Sequence, residues 1–536
     1  MPTLTPPKTS RRAQFKLEML ESFTGGLNFR TDQFNLEDDE SPDLLNVTVD
    51  PRGGIRMRDG VDRRNTTALS ADIKGIWSFL TDGGTDQVMV NYGTKVAYSP
   101  SANFTDLTGI TARTDGSRVY GMTMNNVAYG VSYDKPSFRW NGSTDADLGT
   151  TWDSSGNMPQ AQYVAFWNNF AWVANTYESA TGYKYRVRWS NANDPETWTA
   201  ADYVDIDKGE HGDYITGLCP MGDRLLVFKT NSTYAIFGFD SDSFQVVTLS
   251  STVGSVPLSS QASTAYGVFF WYADHGVYLY DGDNFIWLFQ KIHPAIDDGT
   301  ITFAANPQLA WGNNKLYASV DWTDPDTSVV TRRTLIYDPT LGERGAWVLT
   351  DIDAEPLHAH RPANSTSTVY GGCVANTGVL IDMEDEQNRT TDRYVGSTEA
   401  HIESHFVTRW VEGKNPIVKK RWGRPRAVLS AEATLSLPIL VYKDYDKSAQ
   451  TTSFDVDVTG KTSTSRWDTA KWDDDDTESA YWAAWDAISR NLTAAVKNLP
   501  TLGTARSVSM KVNGPTTDNH WEMNALAFTY TPRRLR

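Results

Sequence analysis

The 536 residues exceed what one compact core holds, and for an all-β chain this length predicts two or three domains. Aromatic side chains make up 12% of the chain, whereas the mean hydropathy of −0.46 indicates many short strands with solvated outer faces. A formal net charge of −17 disfavours tight general binding to nucleic acid. The longest apolar runs, 267–273 and 435–442, have the length of strands, so no membrane span is expected.

The first 69 residues predict an arm followed by a hairpin. Residues 1–20 combine prolines with lysines and arginines and lack the apolar stretch of a signal peptide, which predicts a flexible N-terminal arm on a protein made in a cytoplasm. Within 21–69, the stretch 47–57 reads Val-Thr-Val, then a Pro-Arg-Gly-Gly turn, then Ile-Arg-Met. We expect this β-hairpin segment to close on the ring predicted by the residues that follow.

From residue 70 to 400 the chain repeats one pattern, in which short β-runs are separated by Gly, Asn or Asp turns. A sheet this small cannot bury its own faces, whereas stacking several around an axis buries each against the next. The repeats therefore predict a β-propeller of six to eight blades. Seven repeats can be counted, with strands inside 77–98, 119–142, 163–190, 225–238, 267–282, 309–338 and 369–381.

Residues 401–536 predict a separate C-terminal β-rich domain. Apolar and polar residues alternate in 401–462 and again in 505–531. One short helix is expected near 478–499, because apolar residues recur there at steps of three and four and a proline ends the run. The predicted fold class is all-β: a β-propeller with a C-terminal β-sandwich-like domain and one short helix.

No pattern predicts a catalytic, cofactor-binding or metal site. The stretch 143–145 resembles the Asp-box turn of sialidases, but the glycine that should follow is displaced by two residues. His358 and His360 could share one face of a strand and bind a metal, yet no third ligand lies nearby in sequence, so a half-exposed strand is favoured. The stretch 460–462 has the end of a P-loop without its first glycine. We therefore expect a protein that is not an enzyme and that holds no cofactor.

The most pointed charge feature is a basic segment with interleaved tryptophans. Its candidate subunit-interface or DNA-facing residues are Lys414, Lys419, Lys420, Arg421, Arg424 and Arg426. If a chain of net charge −17 self-associates, every copy offers acidic surface to its neighbour. A contact between subunits is therefore favoured over ordinary surface, and ordinary surface over DNA contact.

Three phrases of this chain resemble propeller-type tail proteins of tailed bacteriophages. Phe23-x-Gly25-Gly26-Leu27-Asn28 is similar to the opening of those proteins, and Arg188-Trp189-Ser190 to a phrase common in their blades. The complete phrases lie at 23–28 with 46–47 and 53–60, at 188–190 with 193–198 and 204–206, and at 222–229 with 234–238. Together they touch most of residues 21–400, and the C-terminal domain fits less distinctively.

The resemblance implies a structural protein of the virion tail: a tail hub, packaged-DNA stabilisation or nozzle-type protein of a short-tailed phage. Such a protein would form a homo-oligomeric ring, typically a hexamer, that contacts the portal, the adaptor and other tail proteins. The ring would continue the DNA channel and help to retain and then release the genome, without binding it specifically. Siphophage minor tail proteins share these phrases. One alternative is therefore a distal minor tail protein or adhesin that binds host surface glycans of a receptor, and a second is a propeller-type glycan hydrolase.

Overall fold

The computed structural model divides the chain into two compact units. Unit 1 comprises 1–58, 340–348 and 401–536, and unit 2 comprises 59–339 and 349–400. The residues that the structure describes are 16–100, 102–150, 156–208, 212–302, 307–324, 327–342, 345–362, 367–383, 390–395, 398–431, 434–447, 452–458 and 495–532. None of the helices in this part of the chain has the length and apolar character that crossing a bilayer requires.

Unit 2 is a β-propeller, and its described residues form seven blades. Each blade is a small antiparallel sheet, and its innermost strand lies beside the innermost strand of the next blade, so these strands surround the axis. The innermost strand is the first one of each blade except in blade 6, where it is Leu309–Gly312. Blades 1 to 3 are Ile73–Leu80, Asp86–Tyr92, Lys95–Ser99, Thr105–Asp106; Tyr120–Met124, Val127–Ser132, Lys135–Trp140, Asp145–Asp147; and Gln160–Trp167, Phe170–Glu178, Thr181–Trp189, Tyr203–Asp205. Blades 4 to 6 are Ile215–Met221, Arg224–Lys229, Thr233–Phe237, Gln245–Ser250; Ala262–Thr264, Gly267–Tyr272, Gly276–Tyr280, Phe285–Trp287; and Ile301–Thr302, Leu309–Gly312, Lys315–Thr323, Val330–Asp338, Ala346–Thr350. The division into units assigns the first three residues of Ala346–Thr350 to unit 1 and the last two to unit 2.

The seventh blade is completed by a strand from the beginning of unit 2. Its own strands are Ala354–His360, Thr368–Cys373 and Leu380–Asp382, and Asp62–Arg63 pairs with the last of them. Arg393 reinforces this closure through two hydrogen bonds of 2.6 and 2.7 Å to the carboxylate of Asp62. Of the segment 21–69, which the sequence predicts to close on the ring, the last part does so: Asp62–Arg63 pairs with blade 7, and the N–H of Leu69 donates to the carbonyl of Gly378. The strand Thr391–Val395 pairs with Thr398–His401 just after this blade.

Aromatic residues of neighbouring blades fill the spaces between the sheets. Trp77 of blade 1 packs against Phe138 of blade 2, with ring centroids 6.4 Å apart. Trp172 of blade 3 lies in one buried cluster with Ile236 of blade 4. Because a blade is covered on both faces, its middle strands are buried almost throughout, as in Phe170–Glu178, instead of alternating.

Unit 1 contains two main sheets, which form the β-sandwich-like part of the fold. The larger sheet surrounds the long strand Trp521–Pro532 and also contains Lys16–Leu20, Val47–Val49, Ile55–Met57, Lys420–Trp422, Arg426–Ala431, Ala495–Asn498 and Gly503–Ala505. The second sheet contains Leu44–Leu45, His405–Val407, Leu435–Lys443, Thr452–Val458 and Val508–Asn513. A short parallel pair joins Gly26–Leu27 to Glu40–Ser41. Phe528 of the larger sheet and Ile439 of the second sheet are almost fully buried.

The N-terminal residues differ from the prediction of an arm and a ring-closing hairpin. Residues 1–15 lie outside the described residues, but Lys16–Leu20 is a strand that pairs with the long strand, and Leu20 is buried. The predicted hairpin at 47–57 is present. It joins the larger sheet of unit 1 through the pair Ile55 and Met523, so it belongs to unit 1 and not to the propeller.

Helical structure is scarce in the described residues. It consists of one α-helix, Pro294–Asp297, and two 3-10 turns, Ala273–His275 and Phe289–Lys291. Most of the helix predicted near 478–499 falls on 459–494, outside the described residues. Its described end, Ala495–Asn498, is a strand, because its backbone pairs with residues 426–429.

Candidate functional site

Five of the six basic residues singled out in the sequence lie at the surface of unit 1. They are Lys414, Lys419, Arg421, Arg424 and Arg426. The strands Lys420–Trp422 and Arg426–Ala431 of the larger sheet carry two of them, Arg421 and Arg426. The other three lie in the loops that lead into these strands, so the basic segment is divided between a sheet and its loops.

Lys420 is the exception, because its side chain is buried. The residue is 1% exposed, and its Nζ donates a 2.8 Å hydrogen bond to the carbonyl of Arg506 and a further one to the carbonyl of Asn415. Burial lowers the pKa of Lys420, although Glu412 acts in the opposite direction. Lys420 therefore ties a loop to the sheet and is not a surface contact, which corrects the prediction for this residue.

Arg421 and Arg426 belong to a solvent-facing surface of the larger sheet. Residues directly opposite one another in antiparallel strands point to the same face. On the long strand, Ala527 stands opposite both Arg426 and Met19, and Thr529 stands opposite Leu17. We define the outer sheet face as Leu17, Met19, Arg421, Arg426, Val428, Val496, Ala525, Ala527, Thr529 and Thr531.

The outer sheet face exposes several large apolar side chains next to its two arginines. Leu17 is 58% exposed, Met19 41% and Val496 63%. Single exposed apolar residues are ordinary on protein surfaces, whereas a group on one flat face marks an interaction surface. Methionine and arginine are also enriched at protein–protein interfaces. The face therefore has the composition of a protein contact.

The axis of the propeller is crossed by the backbone of Leu258. Its carbonyl accepts a 3.0 Å hydrogen bond from Arg118 at the entry to blade 2 and a 3.1 Å bond from Gln308 at the entry to blade 6. Its N–H donates to the hydroxyl of Tyr163 in blade 3 at 3.2 Å. A residue bonded to blades on opposite sides of the ring occupies the centre, so Leu258 closes the axis at this level.

A cavity of about 240 Å³ opens beside the first strands of the propeller. Its wall contains three basic side chains, Lys74, Arg118 and Arg332, and two acidic ones, Asp72 and Glu355. Lys74 lies 3.4 Å from the carboxylate of Asp72, and Arg332 forms an ion pair with Glu355. Burial raises the pKa of Glu355, partly offset by Arg332. No sequence motif pointed to this cavity, because its residues come from four blades.

The two histidines of the predicted strand meet a serine of another blade. Ser78 Oγ lies 2.8 Å from His358 Nε2 and 2.8 Å from His360 Nδ1, and His360 Nε2 lies 2.6 Å from the carboxylate of Asp86. Burial lowers the pKa of His358 to about 3, and burial also lowers the pKa of His360 despite Asp86. Both rings are therefore neutral at pH 7. Neutral His360 donates to Asp86 and accepts from Ser78, whose oxygen then accepts from His358.

We interpret this cluster as a lock between the last blade and the first. The order Asp86–His360–Ser78 is that of a hydrolytic triad, but Ser78 lies inside a strand, opposite Val88. A nucleophilic serine normally sits at a turn, where free N–H groups can stabilise an oxyanion. In the described part of the chain, no three His, Cys, Asp or Glu side chains are grouped to hold a metal.

The phrase Arg188-Trp189-Ser190 carries a buried ionic network in blade 3. Arg188 Nε lies 2.8 Å from the carboxylate of Glu178, and Arg186 Nη1 lies 3.0 Å from the same carboxylate. Burial alone would raise the pKa of Glu178, but hydrogen bonds from Arg188 and Thr176 outweigh it and hold the pKa low. These residues are therefore part of the structure of the blade and are not open to a ligand.

Comparison with known proteins finds solved structures that are similar to this chain but does not assign the chain to a family. No family model and no curated protein matches the chain. The structure of YCF48 bound to D1 peptide has a TM-score of 0.38 and 9% identity, over 64% of this chain and 98% of that one. The extracellular domain of the putative hybrid two-component system BT4673 from B. thetaiotaomicron has a TM-score of 0.36 and 10% identity, over 62% of this chain and 41% of that one. The structure of BBS1N in complex with ARL6DN has a TM-score of 0.33 and 13% identity, over 62% of this chain and 99% of that one.

Proposed function

We propose that this chain is a structural component of a bacteriophage tail, in which several copies form a ring of the hub or nozzle type. The ring would continue the DNA channel and help to retain and then release the genome. The observation that carries the proposal is the outer sheet face, whose two arginines and exposed apolar side chains suit contact with a neighbouring subunit. The three phrases that resemble propeller-type tail proteins support the same role.

The charge distribution favours a second copy of this chain as the occupant of the outer sheet face. The chain carries 66 acidic and 49 basic side chains, so its net charge of −17 repels another copy. Arg421 and Arg426 concentrate positive charge on one face, next to apolar side chains that gain from leaving water. A contact between this face and an acidic part of the next copy removes both the repulsion and the exposed apolar area.

Any DNA channel would lie between copies and not inside one propeller. Leu258 crosses the axis and is bonded to residues at three blades, so a duplex has no path there. The overall charge of −17 also gives passing DNA few sites to adhere to. Both features agree with a wall that guides the genome without binding it.

The test is the mass of the purified full-length chain in solution, measured by light scattering over a range of protein and salt concentrations. We expect the wild type to form a closed oligomer. For the double variant Arg421→Glu/Arg426→Glu we expect the dissociation constant of self-association to rise by at least about tenfold. Arg52→Glu is the matched control, because Arg52 is an exposed arginine of unit 1 that lies in a hairpin turn outside the outer sheet face.

Two results would contradict the proposal. One is a wild-type chain that stays monomeric at every concentration and joins no tail particle. The other is an oligomer that the double variant and Arg52→Glu affect equally. A double variant that loses binding to duplex DNA, with no change in mass, would assign the face to DNA.

A second candidate function is a distal tail protein or adhesin that recognises host surface glycans. The observation that favours it is the propeller cavity, whose wall combines cations with carboxylates in a space of about 240 Å³. Specific retention of the chain on a host glycan array, lost on mutation of the cavity wall, would support this candidate. No retention on any host glycan would argue against it.

A further inference from the structure

Arg118 is the unusual residue in the wall of the propeller cavity. A guanidinium has five N–H donors, and Arg118 uses Nη1 to bond the carbonyl of Leu258 while it lies 4.9 Å above the ring of Tyr120. Its Nε is buried and has no acceptor among the described residues, and no ion pair joins it to a carboxylate there. Glu355 of the same wall acts on Arg118 through space without a direct ion pair, so an anion that bonds to the guanidinium would add a charge-assisted contact.

The size of the cavity limits the ligand. At about 30 Å³ per water, 240 Å³ corresponds to roughly eight water volumes. That is below the range of about 300–1,000 Å³ that holds drug-sized molecules. A single sugar residue or a small organic acid fits this space, whereas an oligosaccharide would have to extend out of it.

The mixed wall discriminates between small ligands. Asp72 and Glu355 offer carboxylate oxygens that accept hydrogen bonds from hydroxyl groups, and they would repel a compact polyanion such as phosphate. A neutral sugar would satisfy these carboxylates but would offer Arg118 no charge-assisted hydrogen bond. A ligand with one carboxylate and several hydroxyls satisfies both.

We infer that the cavity binds a single-residue sugar acid, with its carboxylate on Arg118 and its hydroxyls on Asp72 and Glu355. Lys74, whose side chain is 40% exposed at the same wall, adds a second positive charge near the carboxylate. The inference rests on the second candidate function only for the source of such a ligand, namely a uronic-acid residue of a host glycan. Binding itself does not depend on whether the chain forms a ring.

The experiment measures binding of glucuronate, glucose and inorganic phosphate to the full-length chain by isothermal titration calorimetry and saturation-transfer NMR. We expect saturable binding of glucuronate, at least about tenfold tighter than binding of glucose or phosphate, because the charge-assisted bond to Arg118 is absent or opposed for those two. Equal binding of glucose, or tighter binding of phosphate, would overturn the inference, as would no binding of glucuronate.

Three variants locate the site. Arg118→Met should weaken glucuronate binding by at least about tenfold, and Lys74→Gln by a few-fold. Lys95→Gln is the control, because Lys95 is an exposed lysine that is paired with Asp106 elsewhere on the propeller. Lys74→Gln also covers the case in which Arg118→Met fails to fold, since Lys74 lies at the surface. A folded Arg118→Met variant with wild-type affinity would refute the assignment.

One further variant separates this inference from the proposed ring. Arg421→Glu/Arg426→Glu lies in unit 1 and should bind glucuronate as the wild type does, whatever its mass in solution. Loss of glucuronate binding in that variant would contradict a site formed by unit 2 alone.

Discussion

Charged side chains serve different purposes in the buried network of blade 3 and on the outer sheet face of unit 1. In the propeller, Glu178 is buried between two arginines, and Ser78 links two neutral histidines. In unit 1, Arg421 and Arg426 lie exposed beside apolar side chains on one sheet face. The polar groups of the propeller named above stabilise the blades and the contact between them, whereas the outer sheet face of unit 1 leaves charged and apolar side chains available to a partner. Four predictions test this contrast, beginning with the largest expected effect.

Removing the carboxylate of blade 3 should damage the propeller most. Glu178→Ala leaves Arg186 and Arg188 without their shared partner, and we expect the free energy of unfolding to fall by about 3–5 kcal/mol. The control is Asp223→Ala, which removes a 70% exposed carboxylate and should cost about 0–1 kcal/mol. Denaturant unfolding measures both. Similar losses in the two variants would mean that the buried network does not hold the blade.

Two neighbouring lysines of unit 1 should behave differently. Lys420→Met leaves the carbonyls of Asn415 and Arg506 without their donor and should destabilise unit 1 by about 1–3 kcal/mol. Lys419→Met changes an exposed side chain and should alter stability by less than about 0.5 kcal/mol. Thermal unfolding of the two variants at equal concentration gives the comparison. A stable Lys420→Met variant would show that the loop does not need the buried ammonium.

The lock between blades 7 and 1 should make the propeller sensitive to acid. The pKa of His358 is lowered to about 3 in the folded chain, whereas an unfolded histidine titrates near 6.5, so the unfolded chain binds more protons between these values. Above about pH 6.5 His358 is neutral in both the folded and the unfolded chain, so it does not change the free energy of unfolding. Below that pH the unfolded chain takes up the proton first, and the free energy of unfolding should fall by about 2 kcal/mol between pH 7 and pH 5. Unfolding curves at both pH values measure this loss. His358→Gln, which keeps an amide donor for Ser78, should flatten the dependence, and an unchanged slope would assign it to other groups.

The smallest effect on stability should come from the outer sheet face. Leu17→Ser and Met19→Ser change side chains that are 58% and 41% exposed, so we expect less than about 0.5 kcal/mol each. Self-association should nevertheless weaken, because the apolar contact is lost. Ile417→Ser is the control: Ile417 is 77% exposed in unit 1 but lies outside the outer sheet face. If all three variants self-associate equally, the exposed apolar side chains of the outer sheet face do not contribute to the proposed contact.

Local patterns in the sequence predicted most of the elements. One of the Asn turns expected between the short β-runs lies at Asn168 and Asn169, where both residues have the positive φ of a tight turn, 51° and 66°. The repeats correctly predicted strands in each of the seven blades, and the predicted hairpin at 47–57 is present. Its place in unit 1 was not predicted, because the pattern of a hairpin does not identify the sheet that its outer edge joins.

The candidate sites were less accessible to sequence reasoning. Burial of Lys420 could have been anticipated, because it lies two residues before the apolar Trp422 and strand residues two apart share a face. The contact of Ser78 with His358 spans 280 residues and depends on closure of the ring. The position of Leu258 on the axis likewise follows from the arrangement of blades and from no local pattern.

Unit 1 is built from segments near both ends of the chain, and this determines the order in which the two units can fold during synthesis. The strands Lys16–Leu20 and Ile55–Met57 leave the ribosome early, but their partner is Trp521–Pro532, roughly 500 residues later, which at ~5–20 residues per second means a delay of about 25–100 s. During this delay the propeller can close, whereas the early strands keep an unpaired edge. Translation that stops between residues 400 and 521 would therefore release a chain with a complete propeller and unpaired, aggregation-prone N-terminal strands.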